Sequence, residues 1–208
     1  MKISLVLPNQ LFSTLPEEIR ANRIYLCEEN SYFKKYNYNR QKLIFLRHAI
    51  LEYCKHLDSL ELPYVYISAK DPRSDLGRLF DFFQSKGVTD LTIIDPIDSG
   101  LFADFKRYAS DNSIHLITVS NASFLNSSIT DDAFFRSDKK IFRHADFYKK
   151  QRIKHNILID SDLPRGGKWS FDSDNRKSYP KSKKVPIIRH PSGTLFQIAV
   201  DEINEEFP

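Results

Sequence analysis

Lys2-Ile3-Ser4-Leu5-Val6-Leu7-Pro8-Asn9 is the stretch on which the organisation of the chain turns. A short apolar run closed by Pro-Asn has the pattern of a strand buried on both faces, ended by a residue with no backbone N–H to continue a ladder. One basic residue followed by an apolar run that stops at Pro8 is not a signal peptide. The pattern returns at Arg23–Cys27, Pro63–Ile67, Leu91–Ile94 and Ile114–Val119. Between these runs the period changes. Leu43, Leu46, Ile50, Cys54 and Leu57 follow steps of three and four, which predicts an amphipathic helix over Arg40–Leu57 with Arg47 and Glu52 on its wet side. Ser74 or Asp75 caps a second helix with the apolar face Leu76, Leu79, Phe80 and Phe83, and Gly87 lies just past its end. Leu101, Phe102, Phe105 and Tyr108 mark a third. Strands alternating with helices at short intervals imply crossover units and a parallel sheet covered on both faces. The expectation is an α/β, Rossmann-like fold with five parallel strands in the order 3-2-1-4-5.

The bulk properties agree. A chain of 208 residues, 41% hydrophobic and 28% charged, is a globular domain of ordinary size or a domain plus an extension. No run approaches the roughly 18 apolar residues of a membrane span. Cys27 and Cys54 are the only cysteines and form no CxxC pair, so neither a disulfide framework nor a zinc site is indicated. They fit small apolar residues in a reduced, cytoplasmic protein. The net charge of +4 is unevenly spread. Residues 136–189 carry sixteen Lys and Arg against six acidic residues, and the remainder fifteen against twenty-one. An acidic body with a basic C-terminal third points to a polyanion as partner, or to a solvated linker kept soluble by its lysines. Beyond Val119 the strand–helix rhythm breaks: Thr130 can cap a short turn bearing Phe134 and Phe135, and Lys139–Ile157 reads as a basic helix. The division drawn on charge is therefore 1–135 and 136–208.

Chemistry in an open parallel sheet belongs at the carboxyl ends of the strands, beside the point where the strand order reverses. Here that rim comprises Pro8-Asn9-Gln10-Leu11, Glu28-Glu29-Asn30, Ser68-Ala69 and Asp95-Pro96. Neither a G-x-G-x-x-G after the first strand nor a P-loop is present, so dinucleotide or triphosphate binding by those devices is not expected. What the rim offers is amides and a carboxylate beside Tyr32, Phe33 and Tyr36, a set suited to a flat heterocycle with imide-like edges. A loop in which Asn9 caps a turn and Tyr32 packs on the following helix is the alternative. The six His residues lack metal-site or triad spacing, and no catalytic or metal-ligating residue is assigned.

A second unusual stretch is Pro164-Arg165-Gly166-Gly167-Lys168-Trp169-Ser170-Phe171-Asp172-Ser173-Asp174-Asn175-Arg176-Lys177, with the only Trp and two of the six Gly. The Gly pair gives access to φ > 0, and Trp169 and Phe171 alternate with polar residues, which predicts an extended loop pinned by its aromatic rings. A solvated linker is the other reading.

This stretch resembles the Pro-x-Gly-Gly-Lys/Arg-Trp-Asn/Ser-Phe-Asp-x-Asp/Glu-Asn-Arg-Lys segment of the deoxyribodipyrimidine photolyase-related family, the iron–sulfur bacterial cryptochromes and (6-4) photolyases. Leu5-Val6-Leu7-Pro8-Asn9-Gln10-Leu11 resembles that family's opening, and Leu26-Cys27-Glu28-Glu29, Tyr32-Phe33 and Gln41-Lys42-Leu43 resemble its next segment. Asn39-Arg40 departs from it, standing where members commonly have His-Lys. The resemblance implies an N-terminal domain over 1–135 holding a light-harvesting antenna, typically 6,7-dimethyl-8-ribityllumazine, at Asn9, Gln10, Glu28, Tyr32 and Phe33. It implies that 136–208 is a basic helix and linker toward a C-terminal helical domain, absent here, that carries FAD and a 4Fe-4S cluster. Lys168, Asp172, Arg176 and Lys177 would then lie at the DNA face, with damaged DNA as partner in the full-length protein. The implied role is light-driven repair of UV-damaged DNA, (6-4) photoproducts in particular, or blue-light sensing, with this chain catalytically incomplete. The alternative is a stand-alone α/β module that binds nucleic acid or a partner without a chromophore.

Overall fold

A computed structural model of the chain describes residues 1–126, 134–189 and 192–207. The opening run is β1 (Lys2–Val6), with Lys2 exposed and the next four residues buried. α1 (Glu17–Arg20) leads to β2 (Arg23–Cys27), buried in the same pattern. Then follow α2 (Asn30–Phe33), α3 (Arg40–Ser59), β3 (Tyr64–Ile67), α4 (Leu76–Ser85), β4 (Asp90–Ile94), α5 (Ser99–Asp111) and β5 (His115–Val119). All five strands pair in parallel in the order 3-2-1-4-5, as their pattern predicts. β1 lies at the centre, with Leu5 opposite both Tyr25 and Ile93.

The period of two along β1 divides the core. Ile3, Leu5 and Leu7 join Leu79, Phe80, Phe83 and Phe105 under α4 and α5. Val6 joins Leu43, Ile50 and Leu57 of α3 on the opposite face. Each apolar side chain fully removed from water contributes about 1.5–3 kcal/mol. Two of the sheet-covering helices open on side-chain caps: Asn39 accepts from the Gln41 amide at 2.8 Å, and Asp75, rather than Ser74, accepts from the Arg78 amide at 3.1 Å. Ser74 is buried and donates to the Ala69 carbonyl instead.

One expectation is corrected. Arg47 does not face water; it is 1% exposed. Its spacing from Leu43 and Ile50 puts it on the apolar face of α3, and paired carboxylates make that burial tolerable. The compact units also fall differently from the charge boundary: one comprises Met1–Ser123 with His190–Pro208, the other Phe124–Arg189. The reason is a helix that the charge argument overlooked, α8 (Thr194–Glu206), which buries Ala199 and Ile203 and packs on α3.

In the Phe124–Arg189 unit, α6 (His144–Lys154) is shorter than the predicted Lys139–Ile157. A two-stranded antiparallel pair, β6 (Ile159–Asp160) with β7 (Leu163–Pro164), and the short α7 (Asp172–Asn175) follow. Its apolar centre is a ring cluster in which Phe134 meets Phe135 and Phe147, each at 5.0 Å between centroids. The cap expected at Thr130 lies outside the described residues.

Candidate functional site

Because the chain leaves β1 toward β2 and leaves β4 toward β5, the carboxyl ends of β1 and β4 diverge into a crevice. A cleft of about 440 Å³ occupies this point, lined by Asn9 after β1, Tyr32 of α2, Tyr36, Tyr38, Lys35, Lys42, and Ile97 and Asp98 after β4. Tyr32 Oη donates to Asn9 Oδ1 at 2.9 Å, which fixes the amide so that its NH₂ is free to donate. Burial, with help from the Glu29 and Asp98 carboxylates, pushes the Tyr32 phenol well above its ordinary range, so it stays a neutral donor. The Asp98 carboxylate caps α5 through the Leu101 amide at 2.8 Å and is held below its ordinary range by that bond. Lys42 lies over the Tyr38 ring at 3.9 Å and Lys35 over Tyr36 at 5.6 Å, so two cations stand beside aromatic faces at the mouth.

The other rim residues work from beneath. Gln10 is fully buried; its Nε2 donates to the Ile94 carbonyl at 3.1 Å and its Oε1 accepts from the Leu7 amide at 3.2 Å. That side chain ties the end of β1 to the end of β4. Glu28 is also fully buried. One of its oxygens accepts from Arg47 Nε and from Tyr66 Oη at 2.8 Å, the other from Arg47 Nη2 at 2.6 Å and the Ala69 amide at 2.8 Å. Arg47 further donates to Glu202 at 2.7 Å and to Glu206 at 2.9 Å, both on α8. Burial raises the Glu28 carboxyl, while Arg47, the Ala69 amide and Tyr66 pull it back. Glu29 accepts from the Ser31 amide at 2.8 Å and caps α2.

Of the five residues expected to face a ligand, the structure therefore brings Asn9 and Tyr32 to the cleft. Gln10 and Glu28 are buried and spend their polar atoms on protein partners. Phe33, 1% exposed, is a core residue packed toward Phe207. Lys35, Lys42, Asp98 and Arg47 were missed. For Arg47 the signal was present, since a residue four after Leu43 and three before Ile50 shares their face.

In the other unit, Gly166 and Gly167 take φ of +79° and +73°, the region the Gly pair anticipates. A Cβ on Gly166 would come within 2.9 Å of the Phe171 ring, so the close packing also needs the missing side chain. Arg152 is buried and donates to the carbonyls of Ile157, Leu158 and Trp169 at 3.1, 2.6 and 3.4 Å. The Trp169 ring sits under Lys149 at 4.8 Å and Arg152 at 5.3 Å. The rings thus pin the loop, but its second half is α7 rather than extended chain. Lys168, Asp172, Arg176 and Lys177 are exposed on it. Among the described residues, no group of three or more His, Cys, Asp or Glu could hold a metal ion, and no helix is long and apolar enough to cross a membrane.

Comparison with known proteins bears on this arrangement. The model of the family described as "Deoxyribodipyrimidine photo-lyase-related protein" matches residues 4–208. An uncharacterized protein of Acanthamoeba polyphaga mimivirus is 30% identical over 190 residues, covering 86% of this chain and 95% of that protein. A (6-4) photolyase of Agrobacterium fabrum is 22% identical over the whole of this chain, which spans 42% of that enzyme's length.

Proposed function

We propose that this chain, which belongs to the deoxyribodipyrimidine photo-lyase-related protein family, is the antenna-chromophore part of a light-driven protein that repairs UV-damaged DNA, (6-4) photoproducts in particular, or senses blue light. The observation that carries this reading is the cleft at the strand-order reversal, with a fixed amide, a neutral phenol and aromatic faces in about 440 Å³. That donor set fits 6,7-dimethyl-8-ribityllumazine: Asn9 and Tyr32 meet its polar edge, and Tyr36 or Tyr38 lies against its ring face. Lumazine bound there would supply near-ultraviolet and blue absorption. Gln10 and Glu28 act indirectly, by holding the strand ends that carry the rim.

A 4Fe-4S cluster does not fit this chain by itself, since such a cluster takes four thiolates and the sequence has two cysteines, one of them fully buried. Repair chemistry would then depend on further polypeptide. Lys168, Asp172, Arg176 and Lys177 are the residues we assign to a DNA face, Arg176 through its planar fork toward phosphate or a base edge. A second reading, a stand-alone module, has one observation in its favour: this chain covers 95% of its mimivirus relative.

Fluorescence titration with the lumazine tests the antenna assignment. Tyr32→Ala should weaken binding about tenfold, because it removes the phenol that fixes the Asn9 amide, a loss of roughly 1–3 kcal/mol. Ile97→Trp, which fills the cleft, should abolish it. Unchanged affinity in both variants would leave the stand-alone reading.

A further inference from the structure

We infer that the α/β unit holds a second ligand site, in a cleft that shares Tyr36 and Tyr38 with the rim cleft, and that it takes a purine mononucleotide. The site is a cleft of about 480 Å³ whose walls include Tyr36, Tyr38, Arg40, Glu206 and Phe207. Its distinguishing feature is Glu206, whose side chain is 7% exposed. One carboxylate oxygen accepts from Arg47 Nη2 at 2.9 Å. The other, Oε1, is buried and has no hydrogen-bond partner among the described residues. Buried carboxylate oxygens are rarely left so, because the lost hydration is not replaced.

Among the described residues no donor lies within hydrogen-bond distance of that oxygen. Arg47 is already shared among Glu28, Glu202 and Glu206, three carboxylates around one guanidinium. Because Glu206 lines the cleft, a hydrogen-bond donor placed there would answer that oxygen. Phe207, Tyr36 and Tyr38 offer ring surfaces for a flat molecule. Arg40 is exposed, and its one described hydrogen bond is a long one, 3.4 Å from Nη1 to Asn204, so most of its fork can turn to an anion. A ring with an amino or imino N–H edge toward Glu206 and a phosphate toward Arg40 satisfies both ends. Purine monophosphates have that form. In a uridine nucleotide the ring N–H is flanked by two carbonyl oxygens, which the carboxylate repels.

Isothermal titration of the purified chain with GMP, AMP, UMP and ribose 5-phosphate tests this. GMP or AMP should bind saturably and at least tenfold tighter than UMP or ribose 5-phosphate. Glu206→Gln, which replaces the free acceptor by a donor-bearing amide, should weaken purine binding about tenfold or more. Arg40→Glu, at an exposed position where folding is not at risk, should weaken it as well. Ile97→Trp should change nothing, because Ile97 lines only the rim cleft; that variant separates this site from the lumazine site, whose failure would leave the nucleotide result intact. Equal affinity for ribose 5-phosphate, indifference to both Glu206→Gln and Arg40→Glu, or loss of binding in Ile97→Trp would overturn the assignment.

Discussion

Among the described residues, each of the two compact units buries one arginine, and they satisfy it in opposite ways. Arg47, in the sheet-bearing unit, is answered by three carboxylates and lies 5.8 Å from the Phe33 ring. Arg152, in the basic unit, is answered by three backbone carbonyls and the Trp169 face. Carboxylates come from distant parts of the sequence, so Arg47 staples the end of β2 to α8 across more than 150 residues of chain. Carbonyls at 157, 158 and 169 are near in sequence, so Arg152 closes a local fold that has little apolar core of its own. A buried charge is thus a long-range fastener in one unit and a substitute for a core in the other.

Breaking the first fastener should have the largest effect. Arg47→Ala leaves Glu28 buried without its cation and should cost about 3–5 kcal/mol, seen as a fall in unfolding midpoint. The pH dependence sharpens the point. Burial raises Glu28 above its ordinary range in the folded chain, so its contribution is fully present below its unfolded value and declines as pH rises through the folded one. Without Arg47 the folded value rises further, and the deficit of the variant should grow as pH rises above the ordinary glutamate range. A deficit independent of pH would mean that Arg47 acts by packing alone.

Arg152→Ala should cost less, roughly 1–3 kcal/mol for the orphaned carbonyls, and the loss should appear as faster amide exchange in 144–177 with β1–β5 unchanged. If the sheet loosens too, the contrast between a local and a long-range arginine fails. Gly166→Ala should cost about 1 kcal/mol or somewhat more, from its φ of +79° and the 2.9 Å approach to Phe171, again confined to this unit. The smallest effect concerns the thiols. Burial pushes Cys54 up to about 11 and Cys27 well above its ordinary range, so both are protonated near neutrality. A disulfide reagent at about pH 8 should label Cys54 slowly and Cys27 only on unfolding; rapid labelling of Cys27 would show that the β2 end opens.

Legibility varied with the physical range of the signal. The strands and their order were readable because apolar runs, Pro-Asn and Asp-Pro stops and intervening helical periods are local, and few topologies join them. Asn9 and Tyr32 could be placed at the rim because it follows from strand order. Glu28 and Gln10 could not be told apart from them by residue type, since an amide or carboxylate at a strand end can turn outward to a ligand or inward to a partner. Arg47 was assigned to water by its charge, although its helical position said otherwise. The last helix was hidden in a segment read by net charge, yet Leu195, Ile198, Ala199 and Ile203 carry a helical repeat.

What the sequence determined by itself is the α/β class, the parallel order, the positive-φ glycine pair and the family segment, all properties of short windows. Only the tertiary structure decided which polar groups are spent inside and which face a cleft. Arg47 meets Glu202 and Glu206 because α8 returns to α3, and no window of the chain contains both. Whether a buried carboxylate is satisfied depends on donors more than a hundred residues away, and that information exists only once the chain has folded.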